Sequence, residues 1–192
     1  MGRLKARLAS RNPHKARELE RLLPGWRIEP LDAGAYPPEE GETYYENARA
    51  KARFGRTHAE ADAWVLGEDS GIEVEGLGGG PGVASARSGG DDPVGWLLAE
   101  LGGIEGAGRR ARYVCELVAL SPEEAEFRGT GTLAGCIAHE PSGSEGFGYD
   151  PIFIPDGDQR TVAALGNDWK ARHSHRANAA KALLAELGRA RA

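Results

Sequence analysis

The sequence predicts a single α/β domain, residues 1–192, with a mixed sheet and helices at both ends of the chain. Three observations predict it. A strand, tight turn and helix open the chain, as in parallel-sheet units. Two long strand-like runs joined by a short turn come later, as in antiparallel meanders. An amphipathic helix closes the chain. Early parallel-type units followed by meander-type strands exclude a purely doubly wound sheet.

Leu4, Ala6 and Leu8 alternate with Lys5, Arg7 and Ala9, the period of a first strand ending at Ser10. Asn12 is an N-cap and Pro13 an N1 residue. Ala16, Leu19, Leu22 and Leu23 follow at helical spacing until Pro24. Tyr36 to Glu42, rich in proline and acid, is a loop. Thr43-Tyr44-Tyr45-Glu46 is a capping box that opens a helix running to about His58. Ala63 to Leu66 is a short buried strand that Gly67-Glu68-Asp69-Ser70-Gly71 cuts off, leaving carboxylates at its end. Ile72 to Glu75 alternates as another strand, and Leu77 to Gly82 is too glycine-rich for regular structure. Asp92-Pro93 starts a helix with Val94, Leu97, Leu98 and Leu101 on one side. After a turn at Arg109-Arg110, Ala111 to Leu120 and Phe127 to Ala138 are strands joined by Ser121 to Glu124. A glycine-rich loop, Gly143 to Gly148, leads into Tyr149 to Ile154. The last helix starts at Ser174, with Ala179, Ala180, Leu183, Leu184 and Leu187 as its apolar stripe.

Composition narrows the function classes. Lys+Arg 24 against Asp+Glu 29 leaves a net charge of −5, so no sequence-wide basic field holds a nucleic-acid backbone. No apolar run approaches the roughly 20 residues of a membrane span, and the basic start (Arg3, Lys5, Arg7, Arg11) lacks a signal peptide's apolar stretch. The expectation is a cytoplasmic protein without membrane or nucleic-acid partners. Cys115 and Cys136, the two cysteines, lack metal-ligand spacing and read as reduced thiols. Only five basic residues are lysine (Lys5, Lys15, Lys51, Lys170 and Lys181), so a lysine inside a motif carries information.

Several segments carry chemistry. Ser10-Arg11-Asn12-Pro13-His14-Lys15 sets a hydroxyl, an amide and an ammonium around the free N–H groups of a helix start, a geometry that binds anions; a capped turn with a surface lysine is the plainer account. Glu68-Asp69-Ser70-Gly71 sets two carboxylates beside amide and hydroxyl donors, and Glu39-Glu40 lies in a loop able to face them. Such hard oxygen ligands suit Mg²⁺ completed by substrate phosphates, whereas a solvated acidic turn is the alternative. If the strand persists, Glu68 and Asp69 point to opposite sides. Gly146-Phe147-Gly148-Tyr149-Asp150-Pro151 combines base-stacking rings with a carboxylate acceptor, or else anchors a loop. Lys170 and Ser174-His175-Arg176 cluster donors about the start of the last helix. His173-Ser174-His175 lacks the further ligands zinc needs. Together these segments suggest a nucleotide site.

Those motifs, with Thr43 to Ala48, Gly79-Gly80-Pro81-Gly82 and Ser85-Ala86-Arg87, closely resemble in order and over nearly the whole chain the non-canonical purine nucleoside triphosphate pyrophosphatases, the inosine triphosphatase family. The resemblance implies hydrolysis of ITP, dITP and XTP to the monophosphate and pyrophosphate, which keeps deaminated purines out of DNA and RNA. It implies Mg²⁺ dependence, a homodimer, and a curved mixed sheet flanked by helices in two lobes with a central groove. Carried over by position, Ser10, Arg11, Asn12, Pro13, His14 and Lys15 bind triphosphate. Glu39 and Asp69 hold magnesium, Asp69 is also the catalytic proton acceptor, and Ser70 contacts substrate. Phe147, Gly148, Tyr149, Asp150, Lys170, His175 and Arg176 bind substrate around base and sugar, with His175 and Arg176 donating to a purine 6-carbonyl. Two departures stand out. Ser10-Arg11 replaces the family's usual Thr-Gly, and Ala164 to Trp169 lacks its usual glutamate. A related pyrophosphatase acting on modified pyrimidines and a nucleotide-binding regulator without catalysis are the rival readings.

Overall fold

The computed structural model describes residues 3–190. It contains one six-stranded sheet of order β2-β1-β3-β4-β5-β6, made by β1 (Leu4–Leu8), β2 (Trp26–Pro30), β3 (Trp64–Val74), β4 (Arg110–Leu120), β5 (Glu126–Ile137) and β6 (Phe153–Pro155). The helices are α1 (Pro13–Leu22), α2 (Tyr44–Arg56), α3 (Pro93–Glu100), α4 (Val162–Leu165), α5 (Asn167–His173) and α6 (His175–Ala190). β1 is parallel to both neighbours, with Leu4 opposite Trp26 and Leu8 opposite Leu66; β6 is antiparallel to β5, with Ile137 opposite Phe153. The sheet is mixed, as expected.

The chain divides into two compact units, one of residues 3–69, 115–131 and 176–190, the other of Ser70–Val114 and Thr132–His175. In the first unit, side-chain alternation along β3 and β4 separates two apolar clusters. Leu66, Cys115, Leu117 and Ala119 pack with Leu19 of α1 and Leu183 of α6, whereas Val65, Val118 and Leu120 pack with Ala48 and Ala52 of α2. The second unit is built around Ile72, Leu97, Tyr113, Tyr149, Ile152 and Phe153.

Local expectations held where local chemistry decided. Asn12 caps α1 by accepting from the His14 amide, and both halves of the Thr43–Glu46 capping box are formed. Asp92 caps α3. Others are corrected. Gly67 to Gly71 does not cut a strand; Trp64 to Val74 is one continuous strand, because Gly67 is where α2 lies against it. A Cβ at Gly67 would stand 1.9 Å from the Ala48 carbonyl oxygen and 2.6 Å from the Ala52 nitrogen. Glu68 and Asp69 are therefore strand residues, buried rather than on a solvated turn. Strand β2 and helices α4 and α5 went unpredicted, being too short to show a period. The last helix begins at His175, one residue beyond Ser174, which closes α5. Arg109 is no exposed turn residue. It is buried and donates to the carbonyls of Leu101, Ile104, Ile137 and Ala138, holding the end of α3 to the end of β5. Both cysteines are free thiols, Cys115 buried and Cys136 half-buried.

Candidate active site

Strand alternation sorts the two acids. Glu68 follows Leu66 onto the face covered by α1 and α6, and Asp69 follows Val65 and Gly67 onto the face covered by α2. Each acid meets its own cations.

Glu68 is fully buried. Lys15, in the first turn of α1, places Nζ 2.6 Å from its Oε2. Arg176, in the first turn of α6, donates from Nε at 3.1 Å and Nη2 at 2.9 Å to its Oε1, while Nη1 pairs with Glu18. Burial pushes the Glu68 carboxyl's pKa up, and the Lys15 and Arg176 charges more than reverse this, holding it well below the usual range. The neighbouring Cys115 thiol is pushed well up, first by burial and then by the Glu68 charge. Glu68 is thus a fixed anion that aims Lys15 and Arg176.

Asp69 meets α2. Lys51 Nζ lies 2.7 Å from Asp69 Oδ1 and 2.6 Å from Glu39 Oε1, and Asn47 Nδ2 donates to Asp69 Oδ2 at 3.3 Å. Asn47 also accepts the Gly41 amide at 2.8 Å, tying the acidic loop to the helix. Burial raises the Asp69 pKa; Lys51 opposes this, and the Glu39 and Glu68 charges add to it. Asp69 is therefore a stronger base than an ordinary aspartate. Of the two loop acids it is Glu39 that reaches this cluster, whereas Glu40 is exposed.

The Ser10–Lys15 segment turns at the mouth of α1. Ser10 Oγ accepts the Asn12 amide at 3.1 Å, His14 and Pro13 are exposed, and His14 Nδ1 lies 3.1 Å from an Arg17 nitrogen. Arg11 takes a side-chain partner of its own, the Tyr36 ring, at 5.3 Å. That gives the departure from glycine a local explanation.

The second unit holds a separate cluster. Lys170 and Asp150 form a buried pair at 2.7 Å, and Asp150 Oδ2 also accepts the Phe147 amide at 2.9 Å. Tyr113 donates to Asp150 Oδ1 at 3.4 Å and stacks on His175, with ring centroids 4.5 Å apart and planes 8° from parallel. The Lys170 ammonium lies 4.0 Å from the centre of the half-buried Phe147 ring. Gly146 makes this closeness possible, since a Cβ there would meet Asp150 Oδ2 at 2.2 Å. Tyr149 belongs to the core, its hydroxyl donating to the Ser85 carbonyl at 3.1 Å, so its ring anchors the loop. Ser85 in turn accepts the Ile72 amide at 2.9 Å, which gives the Ser85-Ala86-Arg87 stretch a structural tie. Ser70 is half-buried directly after Asp69 on β3.

Of the expected site residues the structure thus joins Lys15 with Arg176, Glu39 with Asp69, and Phe147, Asp150 and Lys170 with one another. His175 and Arg176, expected to act as one donor pair, have different partners: the imidazole stacks on Tyr113 and the guanidinium serves Glu68 and Glu18. Lys51, Asn47, Glu18 and Tyr113 were missed. A signal existed for two of them, since Asn47 and Lys51 stand four apart on one face of a capped helix and Lys51 is one of five lysines.

Fold and clusters define an α/β protein whose long central strand carries two buried acids, each paired with lysine or arginine. The model of the Ham1 family matches residues 6–186, and the chain belongs to that family. A protein of Opitutus terrae named dITP/XTP pyrophosphatase is 43% identical, the match covering 97% of this chain and 99% of that one. One of the same name from Thermus thermophilus is 42% identical, covering 94% and 90%. The solved structure of the Staphylococcus aureus Ham1 protein superposes with a TM-score of 0.82 at 31% identity, covering 97% of this chain and 99% of that one.

Proposed function

We propose that this protein hydrolyses deaminated purine nucleoside triphosphates, dITP, ITP and XTP, to the monophosphate and pyrophosphate. The names of its relatives support the reaction. The observation that carries the assignment of residues is the pairing of Asp69 and Glu39 around one cationic position, at 2.7 and 2.6 Å from Lys51 Nζ.

Two carboxylates offer hard oxygen donors of the kind Mg²⁺ takes, and among the described residues no cluster of three or more His, Cys, Asp or Glu stands ready to enclose an ion. The donor set fits an ion completed by water and substrate phosphate. Glu39 and Asp69 would hold it, and when bound it supplies neutralisation of phosphate charge. The remaining chemistry belongs to the chain. The N–H groups at the start of α1 and the Lys15 ammonium bind the triphosphate, with Ser10, Asn12 and Ser70 adding polar contacts and Arg11, Pro13 and His14 shaping the turn. Glu68 fixes Lys15, and Arg176 fixes Glu68. Asp69 takes the proton of the water whose oxygen bonds to the α-phosphorus as the α–β anhydride bond breaks and pyrophosphate leaves. Phe147 stacks on the purine, Gly148 leaves room for it, and Lys170 and Asp150 hold the Phe147 loop. With the Arg176 guanidinium engaged by two glutamates, donation to the 6-carbonyl falls to His175.

The protein acts as a homodimer in the cytoplasm on a small-molecule nucleotide, needing neither nucleic acid nor membrane. No helix among the described residues is long and apolar enough to span a bilayer, and the net charge of −5 disfavours nucleic acid. The test is a panel of dITP, XTP, dGTP, dATP and dUTP scored for the anion released, with and without Mg²⁺. Pyrophosphate from dITP and XTP, and loss of turnover in a folded Asp69→Asn variant, is the expected result. Orthophosphate release, dUTP preference or near-normal Asp69→Asn rates would overturn it.

A further inference from the structure

Lys51 is the cation of the Asp69 cluster, and the reaction above gives it no task. Its ammonium is within hydrogen-bond distance of three oxygens, Glu39 Oε1 at 2.6 Å, Asp69 Oδ1 at 2.7 Å and the Glu68 carbonyl at 3.2 Å. Those are as many partners as an ammonium has protons, and two are the carboxylates assigned to the divalent ion. Its side chain is 13% exposed. Helix α2 packs closely on β3 at Gly67, where a Cβ would stand 1.9 Å from the Ala48 carbonyl oxygen, and separating them would expose Ala48, Ala52 and Val65, so the flexible lysine side chain yields before the helix does.

We propose that Lys51 is a resident cation that competes with the divalent ion for Glu39 and Asp69. A free ion binds poorly, and an ion carried by a triphosphate binds well. The inference rests on the reading of Glu39 and Asp69 as metal ligands. Charge makes the argument. Two carboxylates and one ammonium sum to a single negative charge, and a free divalent ion entering beside the ammonium meets like charge at short range in a partly desolvated pocket. Turning Lys51 aside breaks its three contacts and leaves the ammonium to water in place of two carboxylates. A triphosphate changes this balance, because its anionic oxygens offer the displaced ammonium new partners as the ion takes the carboxylates. The protein would then take up its ion with the nucleotide rather than hold one in advance.

The experiment measures Mn²⁺ binding by calorimetry and by electron paramagnetic resonance, in the parent, Lys51→Met, Lys51→Arg and Glu39→Gln. Measurements are made with and without a triphosphate analogue whose α–β bridge is methylene. Lys51→Met should bind Mn²⁺ alone about tenfold more tightly or better, Lys51→Arg no more tightly than the parent, and the analogue should narrow the gap between parent and Lys51→Met. Lys51→Gln replaces the Met variant if that one does not fold. If Lys51→Met binds free Mn²⁺ no better than the parent while Glu39→Gln still weakens binding, competition is overturned and the ligand assignment stands. If Glu39→Gln has no effect in the parent or in the Lys51→Met background, the ligand assignment fails and the proposal with it.

Discussion

Replacing Arg176 with methionine should destabilise the protein strongly at neutral pH. The side chain is 1% exposed, and its guanidinium holds Glu68, which is 0% exposed, through two hydrogen bonds, and Glu18 through a third. Removing one partner of a buried ion pair costs about 3–5 kcal/mol, because the other charge stays behind. Lys15 Nζ remains 2.6 Å from Glu68, which places the loss at the lower end, about 3 kcal/mol. For a chain of this size that is a fall in Tm of roughly 6–12 °C. The Glu68 pKa is depressed in the folded state, so its contribution is fully present above the unfolded carboxylate range and disappears as pH falls through its lowered value. The Tm deficit of Arg176→Met should therefore be largest near pH 7.5 and shrink toward acid, where the variant protonates Glu68. Adding Glu68→Gln to Arg176→Met should recover at least half of the deficit at pH 7.5. Thermal melts followed by circular dichroism across this pH range measure all three. An Arg176→Met variant melting within about 2 °C of the parent, or a deficit that grows in acid, would refute the claim that Glu68 is a buried anion held by Arg176.

Three further outcomes follow from other contacts. Thr43→Ala removes the acceptor for the Glu46 amide at the start of α2, and should lower stability by about 1 kcal/mol, roughly 2–4 °C in Tm, with a larger proportional loss of activity because α2 carries Asn47, which holds Asp69 and the acidic loop. Gly67→Ala drives a methyl group into the Ala48 carbonyl at 1.9 Å and should cost about 3 kcal/mol or more, read as poor soluble yield or a urea midpoint far below the parent's. Phe147→Ala should raise the KM for dITP by roughly 5- to 150-fold, the worth of one stacked base, with a smaller change in kcat; an unchanged KM in steady-state assays would remove the ring from base binding.

Much of the fold was legible wherever a local rule decides structure. Asn12, Thr43 with Glu46, and Asp92 announce their helices because capping is chemistry between near neighbours. Strand β2 was not legible: Trp26 to Pro30 is five residues between a Pro-Gly turn and a loop, and its parallel pairing with β1 supplies what its own pattern lacks. Gly67 and Gly71 misled for a related reason. Glycine in a strand pattern reads as a break, yet Gly67 is there for the close approach of α2, which no local window contains.

For the site, the sequence by itself determined the inventory: a lysine at a helix start, adjacent acids on β3, an acidic loop, an aromatic-acid loop and donors near the last helix. Its ordered motifs were enough to suggest the family and the substrate class. Only the tertiary structure decided which cation meets which acid. Alternation along an unbroken strand sends Glu68 to Lys15 and Arg176 and Asp69 to Lys51 and Glu39. Ionic partners are chosen by distance in space, and residues 68 and 176, which form a buried ion pair, are 108 positions apart in the chain.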